Sequence, residues 1–243
     1  MTAPAPGPDP RPDPRPDPRP DPSPDLRHVE TWIFDLDNTL YPSSCELLAL
    51  CDELMTDFIA RETGLDRDGA RALQHRYHDE HGTTLAGLMM HHGVEPRAFL
   101  DAVHDIPLDR LSPDPALDAA LARLPGRRLV FTNGSEKHAA NVLDALGLAG
   151  RFEEVFAIDT AEGFIPKPRP EAFANLMRRH AVRADRSAFF EDMARNLEPA
   201  AALGMTTVLV GPHAAESEAE FVHHRAEELA PFLSGARVME KAA

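Results

Sequence analysis

Five short apolar stretches recur along the chain, and between them run helical patterns with one apolar face. The first stretch is Val29-Glu30-Thr31-Trp32-Ile33-Phe34-Asp35, and similar ones lie at 128–132, 154–158, 187–190 and 206–210. They are rich in β-branched and aromatic residues. Each is short and apolar, as expected of strands buried on both faces. Helical patterns occupy 135–146, 170–180 and 194–203. In the first of these, Ala139, Val142, Leu143 and Leu146 keep the i, i+3, i+4, i+7 spacing of one buried face. Gly147 and Gly204 stand where helix C-caps belong. This alternation predicts an α/β fold, a Rossmann-like doubly wound parallel sheet with helices on both faces.

Residues 43–112 interrupt the alternation. Leu47, Leu48, Leu50, Cys51, Leu54, Met55, Phe58 and Ile59 trace an apolar stripe, and further helical patterns follow near 66–81, 83–91 and 96–104. A helical insert of about 70 residues between the first two strands is far longer than a connecting loop. It predicts a separate small helical cap.

The N-terminus is different again. Eleven of the 23 prolines lie within residues 1–25, and residues 8–22 repeat Pro-Asp-Pro-Arg with little variation. Proline fixes φ and removes the amide donor, so this stretch predicts a disordered, polyproline II-like tail. The chain therefore divides into a Pro-rich tail at 1–27, a core at 28–42 and 113–214, and a cap at 43–112. Residues 215–243 predict a C-terminal helix, at 221–233, and a frayed tail.

A formal net charge of −15 disfavours nucleic-acid polymers and anionic membranes as partners. No apolar run approaches the roughly 18 residues of a spanning helix, and the N-terminus lacks the apolar segment of a secretory signal. Cys45 and Cys51 are too few for a disulfide framework, and free thiols point to a reducing cytoplasm. His75, His78 and His81 are spaced by three, with His91 and His92 after them. No cysteine or acid pattern completes a zinc site there, so they read as helix surface or pocket wall.

In an open parallel sheet, ligands gather at the carboxyl ends of the strands. There the first strand carries Asp35-Leu36-Asp37-Asn38-Thr39 and the second Thr132-Asn133-Gly134-Ser135. The loop after the third strand carries Pro166-Lys167-Pro168, and the fourth ends in Glu191-Asp192-Met193-Ala194-Arg195-Asn196. Asp35, Asp37 and Asp192 would repel one another without a hard divalent cation such as Mg²⁺. Thr132, the amides near Asn133 and Gly134, and Lys167 are donors suited to a small phosphorylated substrate.

These four motifs, in this order, resemble those of the haloacid dehalogenase-like phosphatases. The stretches Phe34–Pro42, His81-Gly82-Thr83-Thr84-Leu85-Ala86-Gly87-Leu88, Pro166-Lys167-Pro168-Arg169-Pro170-Glu171 and Phe190-Glu191-Asp192-Met193-Ala194-Arg195-Asn196-Leu197 are similar to the pyrimidine 5′-nucleotidase subgroup. That subgroup carries a helical cap after the first motif. The resemblance implies a Mg²⁺-dependent phosphoric monoester hydrolase that cleaves pyrimidine nucleoside 5′-monophosphates (UMP or CMP) through an aspartyl-phosphate. It implies Asp35 as nucleophile and Asp37 as general acid and base. Thr132 and Asn133 would hold phosphoryl oxygens, and Lys167 would neutralise charge on nucleophile and phosphate. Asp35, the backbone carbonyl of Asp37, and Asp192 would bind the metal. Glu191 departs from the commoner glycine and is a candidate for the metal through water, or for a supporting acid. Asn196 is a candidate for orienting a ligand. From the cap, Thr83 and Thr84 are candidates for substrate contact or for capping a helix. A phosphatase for phosphoglycolate or a sugar phosphate, and a non-catalytic nucleotide-binding protein, are the alternative readings.

Overall fold

The computed structural model describes residues 23–240. Most of the expected Pro-rich tail, residues 1–22, lies outside the described residues. Six strands form one sheet: β1 (Thr31–Phe34), β2 (Arg127–Phe131), β3 (Glu154–Phe156), β4 (Ser187–Glu191), β5 (Thr206–Val210) and β6 (His224–Ala226). Every pairing is parallel and the order is β3-β2-β1-β4-β5-β6. The chain steps outward from β1 to β3, returns to β4 on the other side of β1, and steps outward again. Strand order thus reverses between β1 and β4, which opens a crevice at their carboxyl ends.

Alternation along β1 divides the core. Trp32 and Phe34 face one side, where Phe34 stacks on Phe190 with centroids 4.7 Å apart. That side is covered by α5 (Pro115–Arg123), α6 (Glu136–Ala145) and α9 (Leu229–Gly235). Trp32 is fully buried, and its indole N–H donates to Pro125 O at 2.7 Å, which removes the cost of burying that polar group. Ile33 faces the other side, where Phe131, Phe189 and Leu129 pack against α7 (Pro170–His180) and α8 (Ala194–Ala202).

Three local features differ from the sequence expectation. Helix α5 falls in a stretch without a predicted element. Its start is well specified: Asp114 accepts from the amides of Ala116 and Leu117, and Pro115 occupies the first turn. The expected helix at 221–233 is instead strand β6 followed by the short α9. The spacing of Val222, Ala226, Leu229 and Leu233 imitates a helical face. Yet Val222 packs on one side of the sheet and Ala226 on the other, because pairing with the open edge of β5 outweighs local periodicity. Order also begins before residue 28. Leu26 is fully buried, its amide donates to Arg237 O at 2.9 Å, and the Arg237 amide donates to Pro24 O at 2.9 Å.

Between β1 and α5 lie α1 (Leu47–Thr63), α2 (Arg67–His81), α3 (Thr84–His92) and α4 (Pro96–Val103). They share an apolar centre that includes Phe58, Ile59, Leu73, Tyr77, Leu88, Phe99 and Val103. Ile158, from the loop after β3, completes it from below. Asp66, Thr83 and Glu95 cap α2, α3 and α4 through side-chain oxygens on backbone amides. Among the described residues no helix is long and apolar enough to cross a membrane.

Gly87 lets α3 lie directly on α2. A Cβ there would sit 2.3 Å from Tyr77 Cγ and 2.5 Å from Tyr77 Cβ, both near the root of that side chain. Gly87→Ala must therefore push the helices apart, an overpacking cost of about 1–3 kcal/mol. Urea denaturation of the variant should show that loss, and unchanged stability would contradict the close packing.

Candidate active site

The crevice is built around a buried lysine. Lys167 is 1% exposed, and its ammonium makes three hydrogen bonds: to Asp35 Oδ1 at 2.6 Å, to Glu191 Oε2 at 2.7 Å and to Phe131 O at 2.9 Å. An ammonium has three N–H bonds, so its donor capacity is filled. The rings of Phe131 and Phe189 lie beside it at 5.2 and 5.4 Å. Asp35 comes directly off β1, and its amide donates to Phe190 O on β4 at 2.9 Å. Its second oxygen, Oδ2, accepts from the Thr39 hydroxyl at 3.2 Å. Thr39 thus fixes the carboxylate from the opposite side.

Lys167 is held by its backbone as well as by its charge. Asn133 Oδ1 accepts from the Lys167 amide at 2.8 Å, and Asn133 Nδ2 donates to Lys167 O at 3.1 Å. The Asn133 side chain is thus engaged by the Lys167 backbone. It joins the loop after β2 to the loop carrying Lys167. Thr132 Oγ1 accepts from the Gly134 amide at 2.9 Å, which leaves its own hydrogen free to donate. Lys167, with all three hydrogens committed, could act on an anion here only through its field.

Asp37 has a different environment. Its Oδ1 accepts from the Tyr41 hydroxyl at 2.6 Å and lies 2.8 Å from His138 Nε2. His138 sits in the first turn of α6 and stacks on His104, centroids 4.4 Å apart and planes 15° from parallel. His104 caps the end of α4. The sequence reading gave no role to Tyr41, His104 or His138. A signal exists for His138, which lies three residues after the Ser135 cap in a turn that opens toward the strand ends. Tyr41 and His104 reach Asp37 and His138 only through the fold of their loops.

All of the sequence-derived candidates line one cavity of about 410 Å³ between the sheet and the helical insert: Asp35, Asp37, Thr132, Asn133, Lys167, Glu191, Asp192, Asn196, Thr83 and Thr84. The two threonines serve the insert itself. Thr83 caps α3 by accepting from the Ala86 amide at 3.1 Å, and Thr84 donates to Gln74 O at 3.2 Å. Asn196 is buried, and its Oδ1 has no partner. Glu191 uses one oxygen on Lys167 and accepts from the Met193 amide with the other at 3.2 Å. The far wall combines apolar side chains, among them Met55, Phe99 and Leu100, with Asp52, Gln74 and His75. His78 also lines it and pairs with Arg195 of α8. His81 Nε2 instead faces His91 Nε2 at 3.1 Å.

The electrostatics separate the two aspartates. Burial, then the charge of Glu191, push the Asp35 carboxyl up to about 7 despite Lys167. Burial likewise lifts Glu191 to about 7, against Lys167 and with Asp192. Burial, with Asp35 beside it, raises Asp192 too. For Lys167, burial works against the charge, but Asp35 and Glu191 outweigh it and the ammonium is held above its ordinary range. Burial also works against the charge on Asp37, yet the charge and hydrogen bond of His138 and the Tyr41 hydroxyl hold it below the carboxylate range. His104 is pushed down to about 3, by burial first and then by His138. The carboxylates of Asp35, Glu191 and Asp192 each offer an oxygen within 4.8 Å of the others. Three acids against one ammonium leave a local excess of negative charge. Clustered hard oxygen donors of this kind suit Mg²⁺. One side-chain oxygen of Asp37, Oδ1, is committed to Tyr41 and His138, and its backbone carbonyl is a further hard oxygen suited to such an ion.

The chain is similar to phosphate metabolism protein 8 of Saccharomyces cerevisiae, 30% identical over 197 residues, which cover 74% of this chain and 61% of the yeast protein. It spans less than two thirds of that relative's length. It is also similar to the glyceraldehyde 3-phosphate phosphatase of Methanopyrus kandleri, 28% identical over 203 residues, 75% of this chain and 84% of that protein. Among solved structures, CbbY from Rhodobacter sphaeroides in complex with phosphate shares the fold with a TM-score of 0.59 at 20% identity, covering 85% of this chain and 98% of that one. The family model for haloacid dehalogenase-like hydrolases matches residues 29–204, which run from the start of β1 through the loop after α8 and include all four motifs around Lys167. That span makes the chain a member of the haloacid dehalogenase-like hydrolase family.

Proposed function

We propose that this protein hydrolyses small phosphomonoesters, and that its substrates are pyrimidine nucleoside 5′-monophosphates. The observation that carries the phosphatase reading is the pair Asp35 and Asp37. They sit two residues apart at the carboxyl end of β1 and face one cavity, yet their environments differ. Asp35 lies on Lys167 beside two further acids, whereas Asp37 lies on Tyr41 and His138. Nucleophile and proton carrier need such different surroundings.

In this reading Asp35 attacks phosphorus. An Asp35 O–P bond forms as the ester P–O bond breaks, and Asp37, which takes up a proton from solvent as the anionic substrate binds, gives that proton to the departing 5′-oxygen. Asp37 then takes a proton from water as that water attacks the aspartyl-phosphate, which releases phosphate and restores Asp35. Thr132 and the Asn133 amide donate to the phosphoryl oxygens, and Lys167 lowers the charge on Asp35 so that it can approach an anion. Asp35, Asp192 and the Asp37 carbonyl would hold Mg²⁺, which would supply positive charge beside the phosphoryl group. Glu191 keeps Lys167 in place. Residues 43–112 act as a cap that admits substrate and limits water.

The far wall supports a nucleotide. A heterocyclic base has flat apolar faces and a polar edge, and the wall offers Met55, Phe99 and Leu100 beside Gln74 and Asp52. The Methanopyrus relative, a glyceraldehyde 3-phosphate phosphatase, favours a second reading, a triose or sugar phosphate. A phosphate-release panel with Mg²⁺ distinguishes them: UMP and CMP should turn over with higher kcat/KM than AMP, glyceraldehyde 3-phosphate or phosphoglycolate. Preference for a sugar phosphate would overturn the nucleotide assignment.

Asp35→Asn should reduce turnover at least about a thousandfold, since it removes the nucleophile. Wild-type turnover by that variant would contradict the mechanism. The raised carboxyls give a stability test. Asp35 and Glu191 titrate near 7 in the folded protein, above their ordinary 3.8 and 4.5. Metal-free stability should therefore fall as pH rises from about 5 through 7, because the folded state holds protons that the unfolded chain has lost. A cation that binds the ionised carboxylates reverses this. Thermal melts should show a larger gain from Mg²⁺ at pH 8 than at pH 5.5, and an equal gain at both would contradict the assigned site.

A further inference from the structure

The four family motifs leave three side chains around Asp37 unused: Tyr41 and His138, which are buried, and the partly buried His104. We propose that Tyr41 and His138 are positioning residues that clamp one oxygen of Asp37, leaving the other as the oxygen that carries the catalytic proton, and that His104 holds His138 in register from the end of the helical insert. The inference rests on the phosphatase reading above and deepens it.

Both donors converge on one atom. Tyr41 and His138 reach Asp37 Oδ1, at 2.6 and 2.8 Å, and neither is given to Oδ2. Two hydrogen bonds fill the lone pairs of Oδ1 and fix the plane of the carboxylate. Oδ2 then opens over Gly134. A Cβ placed there would lie 3.6 Å from Oδ2 and 3.2 Å from Thr132 Oγ1, so the two oxygens border the same space. A phosphoryl group held by Thr132 would present its leaving oxygen to Oδ2. Proton transfer depends steeply on such alignment, and a misplacement of 1 Å costs on the order of a hundredfold.

The clamp is itself braced. His138 is 2% exposed, and its backbone amide donates to Ser135 Oγ at 3.2 Å. The same hydroxyl lies 3.0 Å from His104 Nδ1. His104 also lies face to face with His138. One serine therefore caps α6, sets the height of His138 and anchors the ring stacked on it. His104 ends α4, where the chain leaves the insert for the sheet domain, so the brace spans both parts of the molecule.

A buried histidine that merely satisfies its polar atoms would affect stability alone. Leaving-group dependence separates the two roles. A nucleoside 5′-oxygen is a poor leaving group and needs the proton, whereas p-nitrophenolate departs without full protonation. Tyr41→Phe, His138→Leu and His138→Gln should be compared with wild type in single-turnover reactions with Mg²⁺, using UMP and p-nitrophenyl phosphate. Melting curves verify that each variant is folded. Tyr41→Phe and His138→Leu should slow nucleoside release roughly tenfold to a hundredfold, with little change in KM. The first release of nitrophenol should change by less than about threefold, since it does not draw on the general acid. His138→Gln, which keeps a donor, should recover part of the loss. His104→Phe, which keeps the stacked ring, should stay closer to wild type than His104→Ala. Equal slowing of both esters, or no slowing of either in folded Tyr41→Phe, would overturn the clamp while the phosphatase stands. Wild-type protein inert toward both esters would overturn the phosphatase reading and the clamp with it.

Discussion

An ammonium buried among two carboxylates and a carbonyl organises this molecule. Burial of one charge is costly, and only close partners make it tolerable. Here the partners come from three separate strands: Asp35 follows β1, Phe131 ends β2 and Glu191 ends β4. Lys167 therefore fixes the mutual height of the strands that bear the motifs, and its loop is tied in turn to the loop after β2 by Asn133. Removal of either side of this arrangement would strand a charge away from water. The same arrangement explains why three acids can stand so near one another. One is partly neutralised, and the remaining excess is what a divalent cation and an anionic ester together can balance.

The contrast between Asp35 and Asp37 follows from what surrounds each. Burial works against the charge on both, yet one is raised and the other lowered. The difference is not depth but company: other carboxylates around Asp35, an imidazole and a phenol around Asp37. Two residues apart in the chain, they point into different networks, and the turn after β1 continues through Asn38, whose φ is 60°. Asparagine tolerates that left-handed conformation better than most residues, and its side chain donates to Asp192 at 3.4 Å.

Much of this was legible in the sequence. Buried parallel strands carry a continuous apolar signal, so β1, β2, β4 and β5 stand out, and the motif residues follow directly from their carboxyl ends. The insert was equally visible through its apolar stripes and its length. What escaped were features fixed by distant partners. Strand β6 exists because β5 has an open edge, and its own sequence imitates a helix. Tyr41 and His104 carry no motif of their own, since only the path of the chain brings them to Asp37 and His138. Asn133 lies within a motif, yet its side chain serves the lysine loop, a role that local sequence could not distinguish from contact with phosphate.

The pairing of Pro24 and Leu26 with Arg237 closes the described chain into a ring. Arg123, at the end of α5, donates to Leu233 O and Ala236 O, so the seam lies beside the chain's entry into β2. Both ends of the ring thus meet at the amino-terminal edge of the sheet, while the cavity opens at the carboxyl-terminal edge. A chain joined at its ends tolerates circular permutation when the new break falls in an exposed connection. The attachment point at residue 23 thus lies on the far side of the sheet from the crevice.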